Sequence, residues 1–209
     1  MRSLIIVAVD REARAVEAVP ESVVVSAGVG RTNAAVATTR AVLELGPFDA
    51  VLSMGIAGAL PGRGCSIGDV VVGTHAIYVE EGIETPDGFA DLDSLGFALG
   101  DFPGNRIPAD PALLERFGGL GVQAPVATVA TCSGTDGRAR LVEARTGAAA
   151  EAMEGAAVLH AAGILGLPAL EMRVISNSTG DRGIQAWDLD SAFASLEELA
   201  GRIRRILAG

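Results

Sequence analysis

The sequence predicts an α/β fold, a three-layer sandwich with helices on both faces of a mostly parallel sheet. Apolar, β-rich runs alternate with helical segments along the whole chain, which is typical of a parallel sheet. Hydrophobic residues make up 49% of the chain and aromatic residues only 4%, so small aliphatic side chains must build the core. A chain of 209 residues can bury such a core in one domain, which we expect to span residues 1–209.

The first half of the chain predicts four strands and one helix. Apolar runs that fit strands buried on both faces lie at residues 3–9, 23–27, 50–54 and 68–76. Thr32 or Asn33 can cap a helix that runs to Leu45, before a Gly-Pro pair that stops it. Residues 55–62 are rich in glycine, so we expect a loop whose backbone can approach a ligand closely.

The second half begins with an irregular segment and then returns to the alternating pattern. Residues 77–109 have weak periodicity and carry acids, glycine and proline, so we expect an excursion that leaves the sheet and returns. Asp110 and Pro111 mark the start of a helix that ends at Gly118. Further strands are predicted at residues 125–130, 149–153 and 168–175, and further helices at 135–145, 155–162 and 190–207.

The composition argues against several classes of partner. A net charge of −10 disfavours nucleic acids and anionic membranes, because the chain has no basic patch to neutralise phosphates. No apolar run has the length of a membrane-spanning helix, and we interpret residues 1–9 as a strand and not as a signal peptide. Cys65 and Cys132 lie far apart and outside any CxxC pattern, which suits a reducing cytoplasm.

No pattern in the chain predicts a metal site or a cofactor. Four acidic residues of the irregular segment lack His ligands and a calcium-loop spacing, so we expect a solvated loop; they are Glu80, Glu81, Glu84 and Asp87. Gly28 and Gly30 follow a strand as in a dinucleotide-binding turn, but the third glycine is missing. Cys132 and Ser133 lack a nucleophile-elbow pattern and a His base, so we do not expect a nucleophile there.

Polar residues follow the predicted strands at the edge where a parallel sheet binds its ligands. These strand ends carry Asp10, Glu12, Gly28, Gly30, residues 55–58, residues 131–133, Met153, Glu154, Ser176 and Asn177. Glu154 stands between an apolar run and an Ala-rich helix, which predicts that its carboxylate is buried. Because a buried carboxylate is costly unless something polar meets it, Glu154 is a candidate binding residue.

Five motifs resemble those of the nucleoside phosphorylase/nucleosidase superfamily. They are SAGVG at residues 26–30 with NAA at 33–35, MGIAG at 54–58, GDVV at 68–71, MEGAA at 153–157 and RVISN at 173–177. The resemblance covers nearly the whole chain. It implies the nucleoside phosphorylase/hydrolase-like fold with a mixed sheet, a homo-oligomer of at least two chains and a small nucleoside as the substrate.

Two further stretches resemble the futalosine hydrolases within this superfamily. They are GIETPDGF at residues 82–89 with LGF at 95–97, and ISNSTGDR at 175–182 with Trp187 and Asp188. Such enzymes hydrolyse the N-ribosidic bond of futalosine and release hypoxanthine in menaquinone biosynthesis. Three alternatives stay open: a methylthioadenosine/adenosylhomocysteine nucleosidase, a purine nucleoside phosphorylase and a non-catalytic nucleoside-binding protein.

The resemblance also implies roles for the residues at the strand ends. Glu12 would orient and deprotonate the attacking water, and Arg173 would help to hold the water and the anionic Glu12. Glu154 would accept hydrogen bonds from ribose hydroxyls, and its charge would favour a cationic sugar. Three further contacts are implied: Met153 packing on the sugar, and the backbone of Ile56, Ala57 and Gly58 lining the water and sugar site.

Asn177 is the residue that we expect to select the base. Its amide oxygen can accept from a protonated N7 while its NH₂ donates to a carbonyl O6, which matches hypoxanthine. The methylthioadenosine/adenosylhomocysteine nucleosidases carry Asp at this position, and Asp can serve both adenine positions. The amide cannot itself deliver a proton, so the source of the N7 proton stays open.

The arginines leave two questions open. A phosphate site would require Arg or Lys at the rim, which carries Arg11, Arg31 and Arg173, but no glycine–arginine phosphate loop lies near the N-terminus. We therefore expect a hydrolase rather than a phosphorylase. The benzoate carboxylate of futalosine needs a cation or hydrogen-bond donors, for which Arg182, Arg106 and a residue of a partner subunit are equal candidates.

Overall fold

The computed structural model describes residues 1–208, and these form ten strands and six α-helices. The strands are β1 (Ser3–Val7), β2 (Ser22–Ser26), β3 (Ala50–Ala59), β4 (Val70–Tyr78), β5 (Gly82–Thr85), β6 (Gly88–Asp91), β7 (Arg106–Pro108), β8 (Val122–Thr128), β9 (Ala150–Ala152) and β10 (Ala169–Ser178). The helices are α1 (Asp10–Val16), α2 (Arg31–Leu45), α3 (Pro111–Phe117), α4 (Asp136–Thr146), α5 (Gly155–Ile164) and α6 (Leu189–Ala208).

Eight of the strands form one mixed sheet in the order β10-β4-β8-β9-β3-β1-β2, with β7 paired to β4. Strands β2, β1, β3 and β10 run parallel to one another, whereas β4 is antiparallel to β10 and β9 is antiparallel to β3. The α/β prediction with a mixed sheet is therefore confirmed. An additional pairing of β10 with β3 closes five strands into a ring, so that part of the sheet is barrel-like. The sequence predicted no such closure.

Helices pack on both faces of β1, whose side chains alternate between two hydrophobic clusters. Ile5 and Val7 pack in a cluster with residues of α1, α3 and α6. Leu4 and Ile6 pack in a second cluster with residues of α2 and α5. The strand is thus buried on both faces, as its continuous apolar run predicts.

Side-chain caps begin α3 and α4 near the predicted positions, whereas the cap predicted at Thr32 or Asn33 is wrong, because α2 follows Gly30 without a side-chain cap. The Asp110 carboxylate accepts from the backbone N–H groups of Ala112 and Leu113, which starts α3. The Thr135 hydroxyl accepts from the backbone N–H of Arg138 and starts α4. The sequence did not predict α1, because a helix of seven residues directly after a strand is too short to show a clear period.

The glycine-rich stretch after β3 differs from its prediction. We expected a loop over residues 55–62, but β3 continues to Ala59 and pairs with β10 along its length. Gly55 has a φ of 151°, and a Cβ there would collide with the Glu12 carboxylate and lie 2.8 Å from Arg173 Nη1. The close approach that this glycine permits is therefore made by protein side chains, while the strand itself is retained.

The irregular segment leaves the sheet and returns as predicted. It contains the hairpin of β5 and β6, and β7 brings it back to β4. Across residues 1–208, no helix combines the length and the apolar character needed to cross a bilayer.

Candidate active site

Glu12 lies in the first turn of α1, immediately beyond the carboxyl end of β1. It is only 2% exposed. Its Oε2 accepts from the backbone N–H groups of Ala8 and Val9 at 2.8 and 3.1 Å, and its Oε1 accepts from Ile56 N–H at 2.9 Å. These three donors fix the carboxylate between β1 and β3 and leave part of its lone-pair capacity for a further donor.

Arg173 extends from β10 towards the same point and is 1% exposed. Its Nε donates to Glu171 Oε1 at 2.8 Å, and its Nη2 donates to Ser53 Oγ at 3.0 Å and lies 3.6 Å from Glu154 Oε2. Burial acts to lower the pKa of Arg173, but the surrounding carboxylates hold it above the ordinary value. The guanidinium therefore stays charged inside the protein.

Glu171 is the residue of this cluster that sequence reasoning missed. It is fully buried, and burial raises its pKa in spite of the neighbouring Arg173. A Cβ on Gly155 would collide with the Glu171 carboxyl group, so Gly155 supplies the space that Glu171 occupies. A glutamate inside the apolar run of β10 carries the same signal that identified Glu154, so it could have been found in the sequence.

Glu154 lies at the start of α5 and is 5% exposed, so the prediction that it is buried is confirmed. Its Oε1 accepts from Gly30 N–H at 3.0 Å, and its Oε2 accepts from Met153 N–H at 3.3 Å. These backbone donors and Arg173 are the polar groups that its burial requires. Glu12, Arg173 and Glu154 thus come together, as the strand ends predict.

Asn177 lies on β10 beyond a bulge and is 7% exposed. Its Oδ1 accepts from the Ser176 hydroxyl at 2.8 Å, and its Nδ2 donates to the Ser178 carbonyl oxygen at 2.9 Å. One lone pair and one amide hydrogen remain. Gly58 faces this amide, because a Cβ on Gly58 would lie 3.0 Å from Asn177 Nδ2.

The segment from Ile56 to Gly58 connects the two parts of the site. Ile56 donates its N–H to Glu12, and the Ala57 carbonyl oxygen lies 3.2 Å from Ser176 Oγ, whose hydrogen makes the shorter bond to Asn177. Gly58 pairs with Asn177. The predicted binding segment therefore lies between Glu12 and Asn177, as part of a strand and not of a loop.

A cavity of about 370 Å³ lies next to Asn177. Gly58, Ser133, Glu151, Arg182 and Trp187 line it together with Asn177. Arg182 lies over the Trp187 ring at 4.7 Å.

Cys132 lines the same cavity, near two carboxylates. Burial, and then the charges of Glu151 and Glu154, raise the pKa of the Cys132 thiol. A protonated thiol is a poor nucleophile, which agrees with the expectation from the sequence.

Several other predicted residues lie apart from this cluster. Arg106 lines a different cavity and donates to the Thr146 carbonyl oxygen at 3.1 Å. The solvated loop predicted for the acidic residues is wrong for two of them: Glu80 is paired with Arg138 and Arg31, and Glu81 is paired with Arg31. Among residues 1–208, no three His, Cys, Asp or Glu side chains are grouped so that they could hold a metal ion.

Residues 14–209 match the family model of the phosphorylase superfamily. The chain belongs to this superfamily. It is 37% identical to futalosine hydrolase of Streptomyces coelicolor over 188 residues, which is 87% of this chain and 78% of that protein. It is also 37% identical to futalosine hydrolase of Thermus thermophilus over 186 residues, 87% of this chain and 79% of that protein.

A solved structure shares the fold of the whole chain. The 5′-methylthioadenosine/S-adenosylhomocysteine nucleosidase of Neisseria meningitidis, in complex with methylthio-immucillin-A, superposes with a TM-score of 0.75. The alignment covers 100% of this chain and 97% of that one, at 22% identity. At this level of identity the similarity establishes the fold alone.

Proposed function

We propose that this member of the superfamily is a nucleosidase that hydrolyses the N-ribosidic bond of futalosine and releases hypoxanthine. Similarity to two futalosine hydrolases supports this reaction: each is 37% identical to the chain and matches 87% of it. The observation that carries the choice of base is Asn177, a buried amide with one free acceptor and one free donor at a cavity that Gly58 also lines.

Glu12 is the group that activates the attacking water in this proposal. Its three backbone donors hold the carboxylate in one orientation, so a water bound to its remaining lone pairs would be held in one position. Glu12 would take the proton as the water attacks the anomeric carbon. Positioned acid–base catalysis of this kind contributes roughly 10²–10⁴-fold to the rate.

Glu154 and Arg173 act on the sugar and on the charge of the site. Glu154 keeps lone pairs for ribose hydroxyls beyond its bonds to Gly30 and Met153. Its negative charge favours the oxocarbenium character that the ribose acquires as the bond to the base breaks. Arg173 limits the repulsion between Glu12 and Glu154 without becoming exposed to the nucleoside.

Asn177 recognises the base in this proposal through its two free positions. Its oxygen accepts from N7–H of the departing purine, and its NH₂ donates to O6. A 6-amino group would face the amide NH₂, leaving two donors opposed in a buried place. Met153 and the segment from Ile56 to Gly58 complete the sugar side, as the family resemblance implies.

The arginines at the rim support hydrolysis over phosphorolysis. Arg11 is paired with Asp190 at 2.5 Å and Arg31 is paired with Glu81, so neither offers an unpaired guanidinium to a phosphate. Arg173 is buried among carboxylates, which would repel an anion. Water is therefore the nucleophile that the site accommodates best.

Arg182 is the group that we assign to the benzoate carboxylate of futalosine. Within residues 1–208 no carboxylate is paired with Arg182, so its guanidinium is open to the carboxylate at the far end of the substrate. Arg106 lies at another cavity and is engaged by Thr146.

The test is to incubate the protein with futalosine, inosine and methylthioadenosine, with and without phosphate, and to identify the released base. We expect hypoxanthine from futalosine without phosphate. Release of adenine from methylthioadenosine alone would favour the nucleosidase whose fold the chain shares, and an absolute requirement for phosphate would refute hydrolysis. No turnover of any nucleoside would favour a binding protein.

Four expectations from the sequence stay predictions. They are a single domain over residues 1–209, a homo-oligomer, a cytoplasmic location and a three-layer arrangement. Helices on both faces of β1 support the last of these for the open part of the sheet.

A further inference from the structure

Glu151 is a buried carboxylate outside the Glu12–Arg173–Glu154 cluster. It lies in the middle of β9 and is 5% exposed. Its Oε1 accepts from Ser133 N–H at 2.7 Å, and its Oε2 accepts from the Ser133 hydroxyl at 2.6 Å. Within residues 1–208, no Arg or His nitrogen approaches this carboxylate within ion-pairing distance. A buried carboxylate with so few partners suggests that a ligand supplies a further donor.

The sheet places Glu151 opposite Asn177. Gly58 of β3 pairs with Glu151 of β9 on one side and with Asn177 of β10 on the other. Residues in register on neighbouring strands point to the same face of a sheet, and neighbouring strands lie about 4.8 Å apart. The two polar side chains therefore flank Gly58 at a backbone separation of roughly 10 Å, which spans the width of a purine. Both line the cavity of about 370 Å³.

The Gln185 side chain, which also lines the cavity, is already engaged. The Gln185 amide NH₂ donates to the carbonyl oxygens of Ser133 and Gly180. Its Oε1 accepts from Arg182 and from the Trp187 indole N–H. Glu151 keeps one lone pair on each carboxylate oxygen after its two bonds to Ser133, so it is the acceptor that remains for a base.

We propose that Glu151 accepts a hydrogen bond from N1–H of a bound 6-oxopurine and thereby selects this base over a 6-aminopurine. The inference rests on the proposed function, and it adds a second base-reading residue to Asn177. A 6-oxopurine presents an N1–H donor beside its O6 acceptor, so a carboxylate and an amide NH₂ match adjacent positions. A 6-aminopurine presents a lone pair at N1, which an acceptor-only carboxylate opposes.

The discriminating variant is Glu151→Gln, which keeps the shape and replaces an acceptor by a donor. We expect the ratio of kcat/KM for futalosine over its 6-amino analogue to fall by about 10- to 100-fold, because the Gln NH₂ can donate to N1 of the adenine base. Glu197→Gln, at an exposed position of α6, is the matched control and should leave the ratio unchanged. An equal loss on both substrates, or an unchanged ratio, would overturn the inference.

Binding of the free bases separates this inference from the proposed reaction. Calorimetry with hypoxanthine and adenine needs no turnover, so it reads base selection even if futalosine is not hydrolysed. The parent should bind hypoxanthine more tightly, and Glu151→Gln should reduce or reverse this preference. A parent that binds adenine equally well, or that binds neither base, would refute the role of Glu151.

Discussion

Gly155→Ala tests whether the Glu12–Arg173–Glu154 cluster depends on space created by one glycine. Gly155 is the first residue of α5, where an alanine suits the helix, so the backbone itself does not oppose the change. The added Cβ would collide with the Glu171 carboxyl group. Glu171 cannot retreat easily, because it is fully buried and β10 is paired on both sides.

The expected cost follows from the contacts that Glu171 would lose. Its rotation would break the 2.8 Å bond to Arg173 Nε inside the protein. Overpacking typically costs about 1–3 kcal/mol and loss of a buried charge partner about 3–5 kcal/mol, so partial loss of both predicts a destabilisation of about 2–4 kcal/mol. We also expect kcat/KM to fall, since Arg173 would no longer be aligned with Glu154.

Gly163→Ala in the same helix is the matched control. A Cβ there meets nothing within 4 Å, so this variant should be as stable as the parent or up to about 1 kcal/mol more stable. Urea unfolding of both variants, with hydrolysis assays alongside, gives the comparison. The cost of Gly155→Ala should also shrink in a Glu171→Ala background. Equal stability of the two glycine variants, or no coupling to Glu171, would refute the reasoning.

Four further predictions concern individual side chains. Asn177→Asp should shift the ratio of kcat/KM towards 6-aminopurine nucleosides by roughly 10- to 100-fold, because the donor to O6 is lost; unchanged relative rates on the two bases would contradict the assignment. Glu12→Gln should keep nucleoside binding by calorimetry and lose roughly 10²–10⁴-fold in kcat; full turnover would remove Glu12 from the mechanism. Arg182→Gln should raise KM for futalosine by roughly 10-fold and leave inosine unaffected, whereas equal effects on both would refute a carboxylate contact. Burial raises the pKa of Glu151, so the folded state holds its proton more tightly than the unfolded chain; the stability that this group contributes is present below its unfolded pKa and is lost as pH rises through the folded pKa. Urea unfolding across that range should show a flatter pH dependence for Glu151→Gln than for the parent.

The sequence was sufficient to predict which residues the strand ends bring close together. Continuous apolar runs identify buried strands, and the residues that follow them meet at one edge of the sheet. Glu12, Arg173 and Glu154 lie together there as predicted, and the segment from Ile56 to Gly58 links Glu12 to Asn177. The ring closure through β3 and β10 was not predictable in the same way, because strand pairing over more than a hundred residues leaves no local signal.

Two functional candidates were missed although the sequence carried their signal. Glu151 and Glu171 each stand inside an apolar stretch, as Glu154 does. The sequence identified Glu154 because its motif ends a strand and begins a helix, whereas Glu151 and Glu171 lie within strands. A carboxylate within a buried strand also requires a polar partner, whether it lies in the middle of the strand or at its end.

The charges of the site explain why so many backbone donors converge on it. Arg173 and Glu171 compensate each other, which leaves Glu12 and Glu154 as excess negative charge in a buried place. Backbone N–H groups stabilise this excess negative charge, three at Glu12 and two at Glu154. A second arginine would instead neutralise it. Under the proposed function, an electronegative site held by neutral dipoles would favour a sugar that becomes positive only in the transition state. Gly155 contributes to this charge balance, because the space that it leaves lets Glu171 neutralise Arg173 and keeps the net charge of the site negative.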